Sequence, residues 1–516
     1  MAIKPYHYEP LTDFSVPENR KAMEEALREV RSQFGLSYPL VIGADRIDTE
    51  KKIVSVNPSN PQQVIGSVSK ADTSHIDMAL ETGWKAFAQW KKVPGPMRAR
   101  YLYKAAAIMR RRKLFLSALE VYEAGKTWTE AEADVAEAID FLEYYGRQME
   151  RLSEPVPLIP LDDEEDRAFY VPLGVGAIIP PWNFPLAILT GMTSAAIVTG
   201  NCVILKPASA TPIIGAHFAE IMREAGLPPG VLNFVPGDGG TIGDYIVTHP
   251  LTRFISFTGS REVGLRINQL AAQVSPGQKW IKRVVAEMGG KDAIVVDETA
   301  DLDAAAEGIV TSAFGFQGQK CSACSRAIIV DDVYDLLLSK IVERTKKLRV
   351  GPADNLNNHM GPVIDEKAYD KIFGYIQWGK ENAKLQTGGT TLDGEGYFIP
   401  PTIFSDVAPG SKLEQEEVFG PVLAVIRAKD WADALKIAND TEYGLTGSVY
   451  TARRERIEQA ADEFEVGNLY INRKCTGAIV GAHPFGGFNM SGTDSKTGSP
   501  DYLLLFMQMK VVAERF

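Results

Sequence analysis

Cys321 is the residue of this 516-residue chain best suited to covalent chemistry, and it lies in the glycine-containing segment 318–324. A free thiol is mostly protonated near neutral pH, yet its thiolate is intrinsically very nucleophilic. The adjacent Lys320 and the N–H groups of a glycine-flanked turn would favour that thiolate. The sequence therefore indicates Cys321 as a candidate nucleophile.

The spacing of Cys321 and Cys324 also fits other kinds of site. Cys-x-x-Cys can be half of a zinc site, but the chain has no second such pair, so no metal is expected. A thioredoxin-like redox pair and a buried, inert thiol are the remaining alternatives at this point.

Two polar residues could assist a nucleophilic thiol. Glu287 stands beside Gly289 and Gly290, where the backbone allows close approach, and it could act as a base for water. Asn183 lies in an apolar, uncharged run and could aim its amide at a developing oxyanion. The simpler interpretations are a surface-loop glutamate and an asparagine that stabilises a turn.

A nucleotide site is indicated without the usual fingerprint. Gly-x-Gly-x-x-Gly is absent, and the glycines at 237–240 imitate it only weakly. Strand 254–257 instead runs through Gly259 and Ser260 into a helix start, which suits a pyrophosphate at the helix N-terminus. Lys206 ends another strand of the same predicted sheet, where ligand crevices open.

The elements that would position these residues alternate between short apolar strands and amphipathic helices, which predicts parallel sheets covered by helices. A helical block precedes them at about 75–152. One predicted series has strands at 176–179, 202–205, 232–235, 254–257 and 293–296, with helices at 186–198, 213–225, 241–247 and 262–272. A second has strands at 327–330, 422–426 and 469–472, with helices at 302–316, 333–348 and 431–439. Two α/β domains joined near residues 289–290 are expected.

Composition and charge exclude several classes of protein. The net charge of −11, with no basic stripe, disfavours a nucleic-acid partner. The uncharged stretch 168–205 is interrupted by prolines, which disfavours a membrane helix. Four cysteines and an N-terminus without a signal-peptide core predict a reducing, cytoplasmic location.

Seven motifs together resemble those of the aldehyde dehydrogenase family, in the same order along nearly the whole chain. They occupy residues 182–185, 206–208, 257–260, 287–291, 318–321, 417–421 and 484–487. The resemblance implies two Rossmann-related α/β domains with parallel sheets and a small β oligomerisation arm. It implies a dinucleotide-dependent oxidation of an aldehyde.

The resemblance assigns the catalytic roles residue by residue. Cys321 matches the nucleophile and Glu287 the general base that hydrolyses the thioester. Asn183 and the backbone N–H of Cys321 match the oxyanion hole.

It also assigns the cofactor contacts. Lys206 matches the residue that holds the adenosine ribose, and Glu417 the one that holds the nicotinamide ribose. The pyrophosphate turn corresponds to Gly259 and Ser260, while Phe419 packs near the nicotinamide in the family; Trp182 belongs to the same set.

Ser209 departs from the family pattern. Many members carry a glutamate there, which repels a 2′-phosphate. NAD+ is the expected main cofactor, and the departure leaves NADP+ open as a second one.

A finer resemblance concerns the substrate. Segments 134–141 and 472–481 are similar to those of 1-pyrroline-5-carboxylate dehydrogenases, a subfamily that oxidises L-glutamate γ-semialdehyde to L-glutamate in proline and arginine breakdown. By this resemblance Ser322 and the N–H groups of Gly477 and Ala478 would hold the α-carboxylate, and two aromatic rings would pack on the methylene chain. Those rings belong to Phe184 and Phe485. A different aldehyde substrate, or a non-enzymatic scaffold on the same fold, is the alternative.

The resemblance also suggests a domain plan and a homo-oligomer that is at least a dimer. The plan gives an N-terminal arm at 1–50, a dinucleotide-binding domain at 51–153 and 172–288, a catalytic domain at 289–485, and an oligomerisation arm at 154–171 and 486–516.

Overall fold

A computed structural model describes residues 5–392 and 394–516; residues 1–4 of the predicted N-terminal arm lie outside it. The two expected α/β units are present, each built on one large sheet. The α-helices are Pro17–Ser32, Thr73–Trp90, Gly95–Arg111, Lys113–Ala124, Trp128–Leu152, Ala187–Val198, Pro212–Glu224, Asp244–Thr248, Arg261–Ala271, Leu302–Phe314, Tyr334–Thr345, Glu366–Asn382, Lys412–Gln415, Trp431–Asn439 and Arg454–Glu463.

The first sheet is parallel except at one edge. The antiparallel edge is Leu40–Ile42 and Asp45–Ile47, two strands that the sequence had placed in the N-terminal arm. The spatial order is Arg283–Glu287, Phe254–Thr258, Val175–Ile179, Cys202–Leu205, Leu232–Phe234, Leu40–Ile42, Asp45–Ile47.

The second sheet is likewise parallel, with one antiparallel edge strand, Lys384–Thr387. Its order is Lys384–Thr387, Thr402–Ser405, Val422–Ala428, Arg326–Val330, Ala293–Val296, Thr446–Tyr450, Asn468–Ile471. The central strands are apolar and buried on both faces, as expected where helices cover both sides of a parallel sheet. The predicted fold class is confirmed.

The predicted N-terminal arm contains a packed helix that the sequence analysis did not identify. Helix Pro17–Ser32 has proline at its first turn and buries Met23, Leu27 and Val30. It packs against helix Lys113–Ala124. A smaller sheet beside it joins Leu36–Tyr38, Asn60–Ser69 and Lys52–Asn57.

A two-stranded ribbon joins distant parts of the chain. Strand Glu164–Pro172 pairs antiparallel with the C-terminal strand Met507–Arg515. Apolar side chains remain exposed on and near this ribbon, among them Val511 at 58% and Ile159 at 88%. Within the described residues no helix has both the length and the apolar character needed to cross a membrane.

Candidate active site

A cleft of about 900 Å³ opens where the carboxyl ends of the first sheet meet the loops that lead into the second. In open α/β sheets this edge is where ligands bind. The predicted site residues that line it are Trp182, Asn183, Lys206, Gly259, Ser260, Cys321, Glu417 and Phe419.

The loop that carries Cys321 is held in an unusual backbone conformation. Phe316, Gln317 and Gly318 have φ of 48°, 56° and 68°, a run that costs L-residues energy. The Gln317 side chain donates to the carbonyls of Gly125, at 3.1 Å, and Pro362, at 2.8 Å. A Cβ at Gly318 would lie 2.3 Å from a backbone oxygen, so glycine is required there.

The surroundings of Cys321 oppose ionisation of its thiol. Burial raises the pKa of Cys321 well above its usual range, and the carboxyl groups of Asp292 and Glu417 raise it further. Lys320 does not compensate, because its ammonium pairs with Glu130 at 2.7 Å. The expectation that Lys320 favours the thiolate is therefore wrong for this structure.

Asn183 is buried beside the nucleophile loop. Its Nδ2 donates to the carbonyl oxygen of Gln319 at 2.9 Å, two residues before Cys321. A side-chain amide carries two N–H donors, so one remains for another acceptor. The contact fixes the amide near the thiol, as an oxyanion donor requires.

The carboxylate of Glu287 is buried but bonded to the C-terminal segment. It accepts from Ser495 Oγ at 2.5 Å and N at 3.2 Å, and from Gly487 N at 3.2 Å. Burial raises the pKa of Glu287 to about 7, partly offset by these bonds. Glu287 is not among the residues that line the cleft. Its side chain must therefore rotate before its carboxylate can activate water at a Cys321 adduct.

Two buried charged side chains, Lys206 and Glu417, line the side of the cleft that is expected to hold the cofactor. Lys206 is only 6% exposed, and within the described chain no carboxylate pairs with its ammonium. Burial lowers the pKa of Lys206 to about 8. Glu417 accepts from Gly290 N at 3.1 Å. A Cβ on Gly289 would come within 2.3 Å of the Glu417 carboxylate, so a side chain at residue 289 would displace that carboxylate. These groups fit ribose hydroxyls.

The predicted strand, turn and helix start around Gly259 and Ser260 are present, but Ser209 is not part of the cleft. Ser260 caps helix Arg261–Ala271, and its Oγ accepts from Val263 N. Ser209 is exposed and does not line the cleft. Gly239 and Gly240, which looked like a weak imitation of a fingerprint, do line it.

Aromatic rings define the wall next to Cys321. The ring of Trp182 meets Phe419 edge-on at 5.6 Å and Phe316 at 6.4 Å. Phe419 has φ of 57°, a strained value for a bulky residue. Strain of this kind concentrates at ligand sites.

The predicted substrate residues lie next to the catalytic ones. Phe184 follows Asn183, and Ser322 follows Cys321. The segment that contains Gly477 and Ala478 is tied to the nucleophile loop by Cys475, whose thiol donates to the Ser322 carbonyl at 3.4 Å.

Phe485 lies in the segment that binds the Glu287 carboxylate. Its backbone pairs with that of Thr497. Two residues after Phe485, the N–H of Gly487 donates to Glu287. Ser495, the other partner of Glu287, carried no motif in the sequence that could have identified it.

A buried ion-pair cluster around Lys126 packs against two segments of the site. The sequence analysis did not identify it. Lys126 is fully buried and pairs with Asp134, and with Glu120 at 3.5 Å. Its ammonium lies 4.4 Å from the ring centre of Phe184 and 4.9 Å from that of Phe316. One cation thus contacts both the Asn183 segment and the Cys321 loop.

Replacing Lys126 by methionine should destabilise the protein by about 3–5 kcal/mol, because Asp134 would be left buried without its counter-charge. The midpoint of urea unfolding should fall accordingly, while Lys92→Met, at an exposed lysine, should leave it unchanged. Equal midpoints for the two variants would contradict the assigned role of Lys126.

Known proteins share this geometry and much of this sequence. Residues 46–512 match the aldehyde dehydrogenase family. The 1-pyrroline-5-carboxylate dehydrogenase of Geobacillus sp. (strain WCH70) is 60% identical over 514 residues, and that of Anoxybacillus flavithermus is 59% identical over 514; each match covers 100% of both chains. A structure of 1-pyrroline-5-carboxylate dehydrogenase from Thermus with bound NAD superposes with a TM-score of 0.99 at 55% identity, covering 100% of both chains. The chain therefore belongs to the aldehyde dehydrogenase family.

Proposed function

We propose that this enzyme oxidises L-glutamate γ-semialdehyde, the ring-opened form of 1-pyrroline-5-carboxylate, to L-glutamate with NAD+ as acceptor. The observation that carries the proposal is one cleft in which Cys321 and Asn183 lie together with Lys206 and Glu417. The 60% identity to a full-length relative named for this substrate supports it.

The chemistry assigns one role to each catalytic residue. The Cys321 thiol gives its proton to water and its sulfur adds to the aldehyde carbon. Asn183 and the Cys321 N–H hold the resulting oxyanion. NAD+, which Lys206, Glu417 and Ser260 would hold, would supply the hydride acceptor. After hydride loss a thioester joins the acyl group to Cys321. Glu287 takes a proton from water, which attacks the thioester and releases the acid and the thiolate.

The cofactor assignment rests on the donor set of the cleft. Lys206 and Glu417 are a buried cation and a buried carboxylate suited to sugar hydroxyls. Ser260 and Gly259 precede a helix N-terminus, where backbone N–H groups bind phosphate. NAD+ is the main cofactor in this proposal. NADP+ is a second acceptor in this proposal, because Ser209, which is exposed and lies outside the cleft lining, places no carboxylate against a 2′-phosphate.

The substrate assignment rests on the donors around Ser322. The N–H groups of Gly477 and Ala478 donate to no protein acceptor within the described chain. Free N–H groups in a loop that Cys475 ties to Ser322 fit a carboxylate. Phe184 and Phe485 provide the apolar surface for the short methylene chain.

We also propose that the protein forms a homo-oligomer through the ribbon of Glu164–Pro172 and Met507–Arg515, whose exposed apolar side chains would be covered by a second copy. The domain plan is kept in this proposal, with one refinement. Residues 487 and 495 bind Glu287, so they serve the catalytic site rather than the arm.

Four free thiols support a reducing compartment such as the cytoplasm.

The test is NADH formation with pyrroline-5-carboxylate, acetaldehyde and propanal compared side by side. We expect kcat/KM to be highest for pyrroline-5-carboxylate. A preference for the simple aldehydes would support another substrate class, and no NADH with any aldehyde would support a non-enzymatic scaffold.

Replacing Asn183 by alanine should lower kcat by about 10²–10³-fold, since one oxyanion donor is lost. The dissociation constant for NAD+, measured by fluorescence titration, should change little. An unchanged kcat would remove Asn183 from the oxyanion hole.

A further inference from the structure

Arg473 makes two hydrogen bonds that the proposed chemistry does not use. Its Nη2 donates to the carbonyl oxygens of Thr476 and Gly477, both at 3.1 Å. These oxygens belong to two successive peptide groups of the loop that follows strand Asn468–Ile471. The side chain is therefore clamped to the backbone of its own loop.

The two bound peptide groups contain the N–H groups assigned to the substrate carboxylate. In a trans peptide the carbonyl of one residue and the N–H of the next point in opposite directions. The Thr476 carbonyl therefore sets the direction of the Gly477 N–H, and the Gly477 carbonyl sets that of the Ala478 N–H. A cation on the carbonyl side also polarises each N–H as a donor.

Arg473 is itself held in place. Its guanidinium lies 4.4 Å from the ring centre of Tyr470, and its backbone carbonyl accepts from Ser448 Oγ at 2.5 Å. Gly477 has φ of 77°, which a residue with a side chain adopts only under strain. A side chain that bridges the two carbonyls stabilises a loop that needs this conformation.

We propose that Arg473 is a positioning residue that orients the Gly477 and Ala478 N–H groups toward the α-carboxylate and so sets selectivity for aldehydes that carry it. The inference rests on the proposed function, because it concerns the same site. Arg473 acts through the backbone and not by contact with the substrate.

The test compares two aldehydes that differ only in the carboxylate: glutaric semialdehyde and butanal. Arg473→Met should raise KM for glutaric semialdehyde by about 10-fold, the loss expected when charge-assisted hydrogen bonds are misaligned. Its kcat with either aldehyde, and KM for butanal, should stay within about two-fold of the wild type. An unchanged KM for glutaric semialdehyde would overturn the proposal.

Two further variants separate positioning from charge. Lys474→Met removes a positive charge from the same loop and should have a smaller effect on KM; equal effects would mean that charge alone acts, against the proposal. Arg349→Met removes another arginine that donates to a loop carbonyl, that of Asn357, and should change nothing. If Arg473→Met does not fold, Tyr470→Leu, which removes the ring under the guanidinium, should shift KM for glutaric semialdehyde in the same direction, and no shift would count against the proposal.

Comparing the two aldehydes on the wild-type enzyme distinguishes failure of the proposed substrate from failure of the proposed role of Arg473. A wild type that does not prefer glutaric semialdehyde over butanal contradicts the proposed substrate and, with it, the role of Arg473. A wild type with that preference, unaltered in Arg473→Met, contradicts only the role of Arg473.

Discussion

Replacing Cys321 by alanine should abolish NADH formation, with kcat reduced on the order of 10⁴- to 10⁶-fold. The expected loss is large because the thiol forms the covalent bond on which both hydride transfer and hydrolysis depend. Steady-state NADH assays give the loss. NAD+ binding should persist, because Lys206, Glu417 and Ser260 are unchanged, and a fluorescence titration checks this.

Cys324 provides the matched control. Its thiol is buried in the core and donates to the Arg326 carbonyl at 3.4 Å. Cys324→Ser should keep most of the activity, whereas a redox pair would require both thiols. Near-normal turnover in Cys321→Ala, or loss of activity in Cys324→Ser, would contradict the mechanism.

Replacing Glu287 by glutamine should make hydrolysis of the thioester the slow step. We expect a burst of about one NADH per active site, then steady turnover reduced by about 10²–10⁴-fold, the usual contribution of a general base. Stopped-flow absorbance measures the burst and the slope that follows it. An unchanged steady rate would mean that another group activates the water.

The pH dependence should identify the same base. Burial raises the pKa of Glu287 to about 7, and a general base acts in its deprotonated form. Hydrolysis of the thioester should therefore accelerate as the pH rises through about 7 and level off above it. The Glu287→Gln variant should lack this rise.

Local patterns in the sequence predicted part of each sheet. Strand Ala293–Val296 was expected in the first series but lies in the second sheet. The sequence analysis did not predict strands Arg283–Glu287, Lys384–Thr387, Thr402–Ser405 and Thr446–Tyr450. Strands Cys202–Leu205 and Ala293–Val296 and helix Trp431–Asn439 have the predicted bounds, because each is a short apolar or amphipathic run between turn residues. The helix Pro17–Ser32 was missed because it is rich in charged residues, which separate its few apolar positions and hide their helical spacing.

Motifs indicated the candidate catalytic residues, but not the residues that hold them. Glu287 and Ser495 are 208 residues apart, and nothing in the local sequence around Ser495 indicates a bond to a carboxylate. The same applies to Lys320: its position beside Cys321 suggested a cation for the thiolate, and only the fold shows its pairing with Glu130.

The most direct test of the central claim is to trap the acyl group on its sulfur. Glu287→Gln would be mixed with NAD+ and glutaric semialdehyde, whose acyl chain has no α-amine that could release it by ring closure. Peptide mass spectrometry should then find the glutaryl group on the peptide that contains Cys321. Its absence there despite NADH formation, or its attachment to Cys324 or Cys475, would contradict the account.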